Sequence, residues 1–182
     1  DKNLFVWKNA RSLNIDFDAD FLDDISTIKL SGDDAAIHAF VSRVNQKFGE
    51  RLSLDWLSGQ AQSATNIDGM EMEIFALRND VIFALNKAEA QLPADFLKAY
   101  KNHLAYYYYL SLFKFSEMKT AGISIPKATE IPKVLIEGLD WERMNKSSEL
   151  DSKFFRELLI QFVNYRALEA YDFMKFADKQ AV

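Results

Sequence analysis

Four consecutive tyrosines, Tyr106 to Tyr109, and two isolated histidines, His38 and His103, are the side chains in this chain that most invite a chemical reading. At about 100° per residue, four tyrosines in one helical turn cannot all face one side. Some of their hydroxyls must reach polar partners or solvent. Two readings stay open: an aromatic wall for a ligand or partner, or core rings with hydroxyls at the edge. Trp141 poses the same choice, as a partner anchor or as a clamp within its own connection. Neither histidine belongs to an H-x3-H or H-E-x-x-H pair, so a metal would need carboxylates from other elements.

Asp16-Phe17-Asp18-Ala19-Asp20 begins like a calcium-binding loop. That loop also needs Gly at its sixth position and Glu at its twelfth. Phe21 and Thr27 stand there instead, so the alternating aspartates read as the wet face of a strand. Glu71 and Glu73, two apart on a helix, point to different faces and are no catalytic pair. No G-x-S-x-G, P-loop or G-x-G-x-x-G occurs. The residues supply no catalytic group, no cofactor motif and no metal-ligand set.

The chain has no cysteine. Thiol nucleophiles, disulfides, thiolate zinc sites and C-x-x-C redox pairs are therefore excluded within it. Its 22 basic and 27 acidic residues leave a net charge of −5, and Lys and Arg are scattered. Nucleic-acid binders usually carry a basic patch, so no nucleic acid is expected as a partner. No apolar run approaches the roughly 20 residues of a membrane span. The first residue is Asp, and no signal-peptide pattern follows it. The expectation is a piece of a larger protein, or a processed one.

At 182 residues, with 6 Gly and 3 Pro, the chain has the length of one ordinary domain and few turn formers, which favours long helices. Leu4 to Trp7, Ser12 to Asp18 and Ser26 to Leu30 read as strands, the second by its period-2 alternation. Ser31-Gly32-Asp33 reads as a turn into a helix over 33–48, with Ile37, Phe40, Val41, Val44 and Phe48 on one face. A short helix is expected around Leu52 to Leu57. A long one follows over 68–91, with its stripe at Ile74, Leu77, Val81, Leu85, Ala88 and Leu92. The next, over 93–120, is apolar on most sides and so should be central. Gly122 is placed as its C-terminal stop. Pro132 opens a short helix over 132–138, Leu139 to Glu149 forms a polar connection, and a last helix covers 150–178. The fold class is mainly α: a short N-terminal β segment over 1–31, then an irregular bundle of about five helices over 32–182.

Two stretches carry a family resemblance. Ile28-Lys29-Leu30-Ser31-Gly32-Asp33-Asp34-Ala35-Ala36-Ile37-His38-Ala39-Phe40-Val41 is one. The other combines Leu139-Asp140-Trp141, Ser147 to Leu150, Phe154 to Leu159 and Phe162 to Tyr165. Together they resemble the helical middle region of the large thioredoxin-like thiol–disulfide interchange lipoproteins of Bacteroidetes-type bacteria. There a β-rich region closes with a glycine and a helical domain begins. His38 stands where that family commonly has Asn, and the family's W-C-x-x-C is absent. The resemblance implies a non-catalytic accessory domain, exported to the periplasm or anchored at the outer membrane. Its expected partners are a thioredoxin-like domain of the same polypeptide and its substrate proteins. A stand-alone helical interaction module, and a ligand-binding bundle with its pocket among His103 and Tyr106 to Tyr109, are the alternatives.

Overall fold

The computed structural model describes residues 12, 14–16, 29–120, 131–139 and 141–180, with backbone only for 120, 141, 143 and 171–180. Two short strands, β1 (Asn14–Asp16) and β2 (Lys29–Ser31), pair antiparallel with Ile15 opposite Leu30. The chain leaves β2 through Gly32, whose φ is +109°. A Cβ there would lie 2.5 Å from the Ser12 carbonyl oxygen. Only glycine takes this turn without strain. The expected strand at Leu4 to Trp7 and the acidic run beyond Asp16 lie outside the described residues.

Helix α1 (Ala35–Phe48) buries Ile37, Phe40, Val41, Val44 and Phe48, the five positions its periodicity predicts. Helix α2 (Leu54–Ser63) is longer than the expected short helix around Leu52 to Leu57. Ser53 caps it by accepting the Trp56 N–H at 3.1 Å. Gly59 sits inside it with open space around the missing Cβ, so its presence costs only helix propensity, about 1 kcal/mol. Asn66 caps helix α3 (Ile67–Lys87) by accepting the Gly69 N–H at 2.8 Å. A 3-10 turn at Glu89–Gln91 then carries the chain past Pro93 into helix α4 (Ala94–Thr120). The expected single helix over 68–91 thus ends in a tighter turn at Ala88.

Two four-residue helices follow, α5 (Lys133–Ile136) and α6 (Trp141–Met144), then a 3-10 turn at Ser147–Glu149. The segment read as a polar connection around Trp141 therefore contains two helical turns. They are too short to show a period. Helix α7 (Lys153–Gln180) starts three residues later than expected, because Ser152 caps it by accepting the Phe155 N–H at 3.4 Å. Gly122 lies outside the described residues.

Helix α4 is the centre, packed against α2, α3 and α7, while α1 leans on α3 and β2. Its apolar circumference has this cause: Phe96, Leu104, Tyr107, Leu110, Leu112 and Phe113 are all buried, on different sides of one helix. Edge-to-face rings tie the layers together. Phe40 of α1 meets Phe96 and Tyr100 of α4 at 6.0 and 5.4 Å, and Phe113 of α4 meets Tyr165 of α7 at 5.3 Å. The fold is a mainly α bundle with five helices of seven or more residues among the described residues, preceded by a two-stranded sheet. Among the described residues, no helix is long and apolar enough to cross a membrane.

Candidate functional site

The tyrosine run divides into two pairs. Tyr106 and Tyr107 point inward. The Tyr106 ring lies tilted against Phe155 of α7 at 4.9 Å, and Tyr107 lies 4.9 Å from Phe154. The Tyr107 hydroxyl donates to the Arg51 carbonyl at 2.5 Å, which joins α4 to the segment before α2. Burial pushes its pKa well above the usual phenol value. Tyr108 and Tyr109 are half-buried and meet edge to face at 5.5 Å.

The Tyr108 hydroxyl donates to Glu71 Oε1 at 2.8 Å, and the Arg78 guanidinium lies 5.9 Å above its ring. Burial raises the Tyr108 pKa first, and the adjoining Glu71 carboxylate raises it further. Glu71 and Arg78 are two turns apart on α3, about 10 Å along the axis. The Tyr108 ring therefore lies along the flank of α3. Arg78 Nε is buried with no hydrogen-bond partner among the described residues, and its guanidinium lies over the Tyr108 ring. Trp141 opens α6, and its side chain lies outside the described residues.

Helix α3 carries an apolar surface that reading its inner stripe alone misses. Ile74, Leu77, Val81 and Leu85 are fully buried. On the opposite side, Met72 is 70% exposed, Phe75 45% and Phe83 62%. At 100° per residue, Met72, Phe75, Ala76, Asn79, Ile82, Phe83 and Asn86 fall on one outward stripe without a charge. Plotting every residue of 67–87, and not only the core period, would have exposed it. The stripe is flanked by Glu73, Asp80 and Lys87 along one edge and by Glu71 and Arg78 along the other. Lys87 Nζ sits 4.3 Å over the Phe83 ring. Arg51 approaches Glu73 at 3.8 Å. An uncharged helix face that exposes three large apolar side chains is a candidate contact surface.

The two histidines sit on different helices. His38 is buried on α1. His103 lies on α4, stacked 4.4 Å from Phe154, with Nδ1 3.1 Å from Ser152 Oγ. Burial, and then the nearby Lys153 charge, lower its pKa to about 4. A hydroxyl beside an imidazole can begin a nucleophilic pair. Here the ring is enclosed and the hydroxyl caps a helix, so the contact is a tie between α4 and α7. Among the described residues, no three His, Asp or Glu side chains gather into a metal-binding group. A cavity of about 410 Å³ lies between the later half of α4 and the middle of α7, lined by Phe113, Glu117, Gln161, Asn164 and Tyr165 among others. It does not include His103 or the tyrosine run.

Comparison with protein-family models, with curated proteins and with solved structures finds no match to this chain.

Proposed function

We propose that this chain is a non-catalytic helical accessory domain that works by contact, through the outward stripe of α3 and the adjoining Tyr108 and Tyr109. The observation that carries this reading is the second apolar face of α3, with Met72, Phe75 and Phe83 exposed opposite the core. The resemblance of residues 28–41 and 139–165 supplies the setting: a periplasm-facing thioredoxin-like thiol–disulfide oxidoreductase. The active cysteines of such a protein would belong to another domain of the same polypeptide, because this chain has none. The accessory domain would position that redox domain or hold its substrate proteins.

The same stripe would serve a stand-alone interaction module, and the complete reading frame separates the two. The test is to express the complete product and follow its thiol–disulfide exchange. A W-C-x-x-C domain should follow the last helix. Replacing Phe75 and Phe83 together by Glu should slow reaction with a protein disulfide severalfold and leave reaction with a small-molecule disulfide unchanged. A product without a thioredoxin-like domain, or equal rates on the protein disulfide, overturns the accessory reading.

A further inference from the structure

We infer that the outward stripe of α3 takes a second copy of this chain, in an antiparallel helix pair centred on Asn79. This rests on the reading of α3 as a contact face and names its occupant. The argument is the self-complementarity of the stripe. A two-fold axis beside Asn79 reverses α3 onto itself and keeps each edge of the stripe beside its own counterpart. On one edge, Phe75 then lies beside Ile82 of the second copy. On the other, the large Phe83 ring lies over the small Ala76 of the second copy. At these two steps a large side chain meets a small or apolar one, as packed helices require, while Met72 comes level with the polar Asn86 of the second copy. Asn79 meets its own counterpart at the axis, where paired amides fix register at a cost in strength.

The charges follow the same order. Lys87, already held over Phe83, comes within reach of Glu73 of the second copy, and the axis repeats this contact. Arg51 already approaches Glu73, and both side chains are well exposed, so the added ion pair guides pairing more than it strengthens it. Arg78 turns away, toward the Tyr108 ring. Asp80 is the one unfavourable group: it falls near its own counterpart on the outer edge. The stripe is about 21 Å long from Met72 to Asn86. A pair of that length covers roughly 400 Å² per copy, below the ~800 Å² of a standard interface. The association is therefore weak and reversible.

Sedimentation velocity of the 182-residue chain over a concentration series tests the inference. A monomer–dimer equilibrium is expected. Phe83→Glu should weaken it at least about tenfold, and Asp80→Asn should tighten it about threefold or more. Phe83 and Asp80 are exposed, so both variants should keep the melting temperature of the dilute monomer within a few degrees. A chain that stays monomeric throughout, or a dimer indifferent to Phe83→Glu, overturns the inference. An Asp80→Asn dimer no tighter than the parent overturns the register about Asn79. The broader contact reading stands apart. A monomeric chain whose Met72 and Phe83 become protected in the complete polypeptide at any dilution sinks the second copy and keeps the contact face.

Discussion

Ser152 Oγ lies 3.1 Å from His103 Nδ1, so the hydroxyl that starts α7 is also held by the middle of α4. The same oxygen accepts the Phe155 N–H. The arrangement fits a neutral ring that accepts the Ser152 proton at Nδ1. A second contact, Asn102 Nδ2 donating to Glu149 Oε1 at 3.4 Å, ties α4 to the turn just before. The two longest helices are thereby registered at one end by polar contacts, and farther along by Phe113 against Phe162 and Tyr165.

This tie gives the fold a pH dependence. The native ring has a pKa of about 4, against 6.5 for a free imidazole, chiefly because it is buried. Below pH 6.5 the unfolded chain takes up a proton that the native chain refuses. The stability held by the neutral ring is whole above pH 6.5 and is lost as the pH falls toward 4. The loss reaches about 3 kcal/mol when complete. Urea titrations from pH 7 to 4.5 should show a shallower decline for His103→Gln than for the parent. Parallel declines would mean that other groups carry the acid sensitivity.

The inward and outward tyrosines should differ in what their hydroxyls contribute. Tyr107→Phe leaves the Arg51 carbonyl without its buried donor and should cost about 1–2 kcal/mol. Tyr108→Phe frees an accessible Glu71 carboxylate, which water can solvate, and should cost no more than about 0.5 kcal/mol. Chemical denaturation of the two variants side by side reads the difference. A reversed order would place Tyr108, not Tyr107, at the buried contact.

The facing of α7 can be checked with one substitution on each side. Phe155 is fully buried against Tyr106, and Phe155→Ala should destabilise by about 3–5 kcal/mol. Ile160 is more than half exposed, and Ile160→Ala should stay within about 0.5 kcal/mol of the parent. Thermal melts decide it. Similar losses at both positions would show that α7 is rotated or covered on its outer side.

The capping contacts should act locally and independently. Ser53→Ala removes the acceptor for the Trp56 N–H, and Asn66→Ala removes the one for the Gly69 N–H. Each should cost about 1 kcal/mol, and the double variant about the sum. Denaturation midpoints that do not move would mean that water replaces both caps.

Much of this architecture could be read from apolar spacing. The stripe from Ile37 to Phe48 and the stripe from Ile74 to Leu85 are buried as their period requires. The crowding of aromatic residues around α4 announced the central helix. Helix α2 was only partly legible, because Leu57 and Ala61 are its only fully buried positions and Gly59 interrupts the pattern. The turns at Trp141–Met144 and Ser147–Glu149 were hidden because three or four residues cannot show a 3.6-residue period. Of the candidate contact residues, Tyr108 and Tyr109 are partly accessible while Tyr106 and Tyr107 are core. Neighbouring tyrosines in one helical turn give no local sign of which side faces the partner helices. Met72 and Phe83 escaped notice as site residues because a helix is ordinarily read for one apolar face, and α3 has two.

Hydroxyl-radical footprinting of Met72, Phe75 and Phe83 tests most directly whether α3 is a contact face. The comparison is between the dilute 182-residue chain and the complete product of its reading frame. If α3 makes contact, all three side chains are labelled freely in the dilute chain and are protected severalfold in the complete polypeptide. Protection that grows with concentration assigns the cover to a second copy, and protection independent of concentration assigns it to another domain of the same molecule. Equal labelling of Met72, Phe75 and Phe83 in every sample would contradict the contact role of α3.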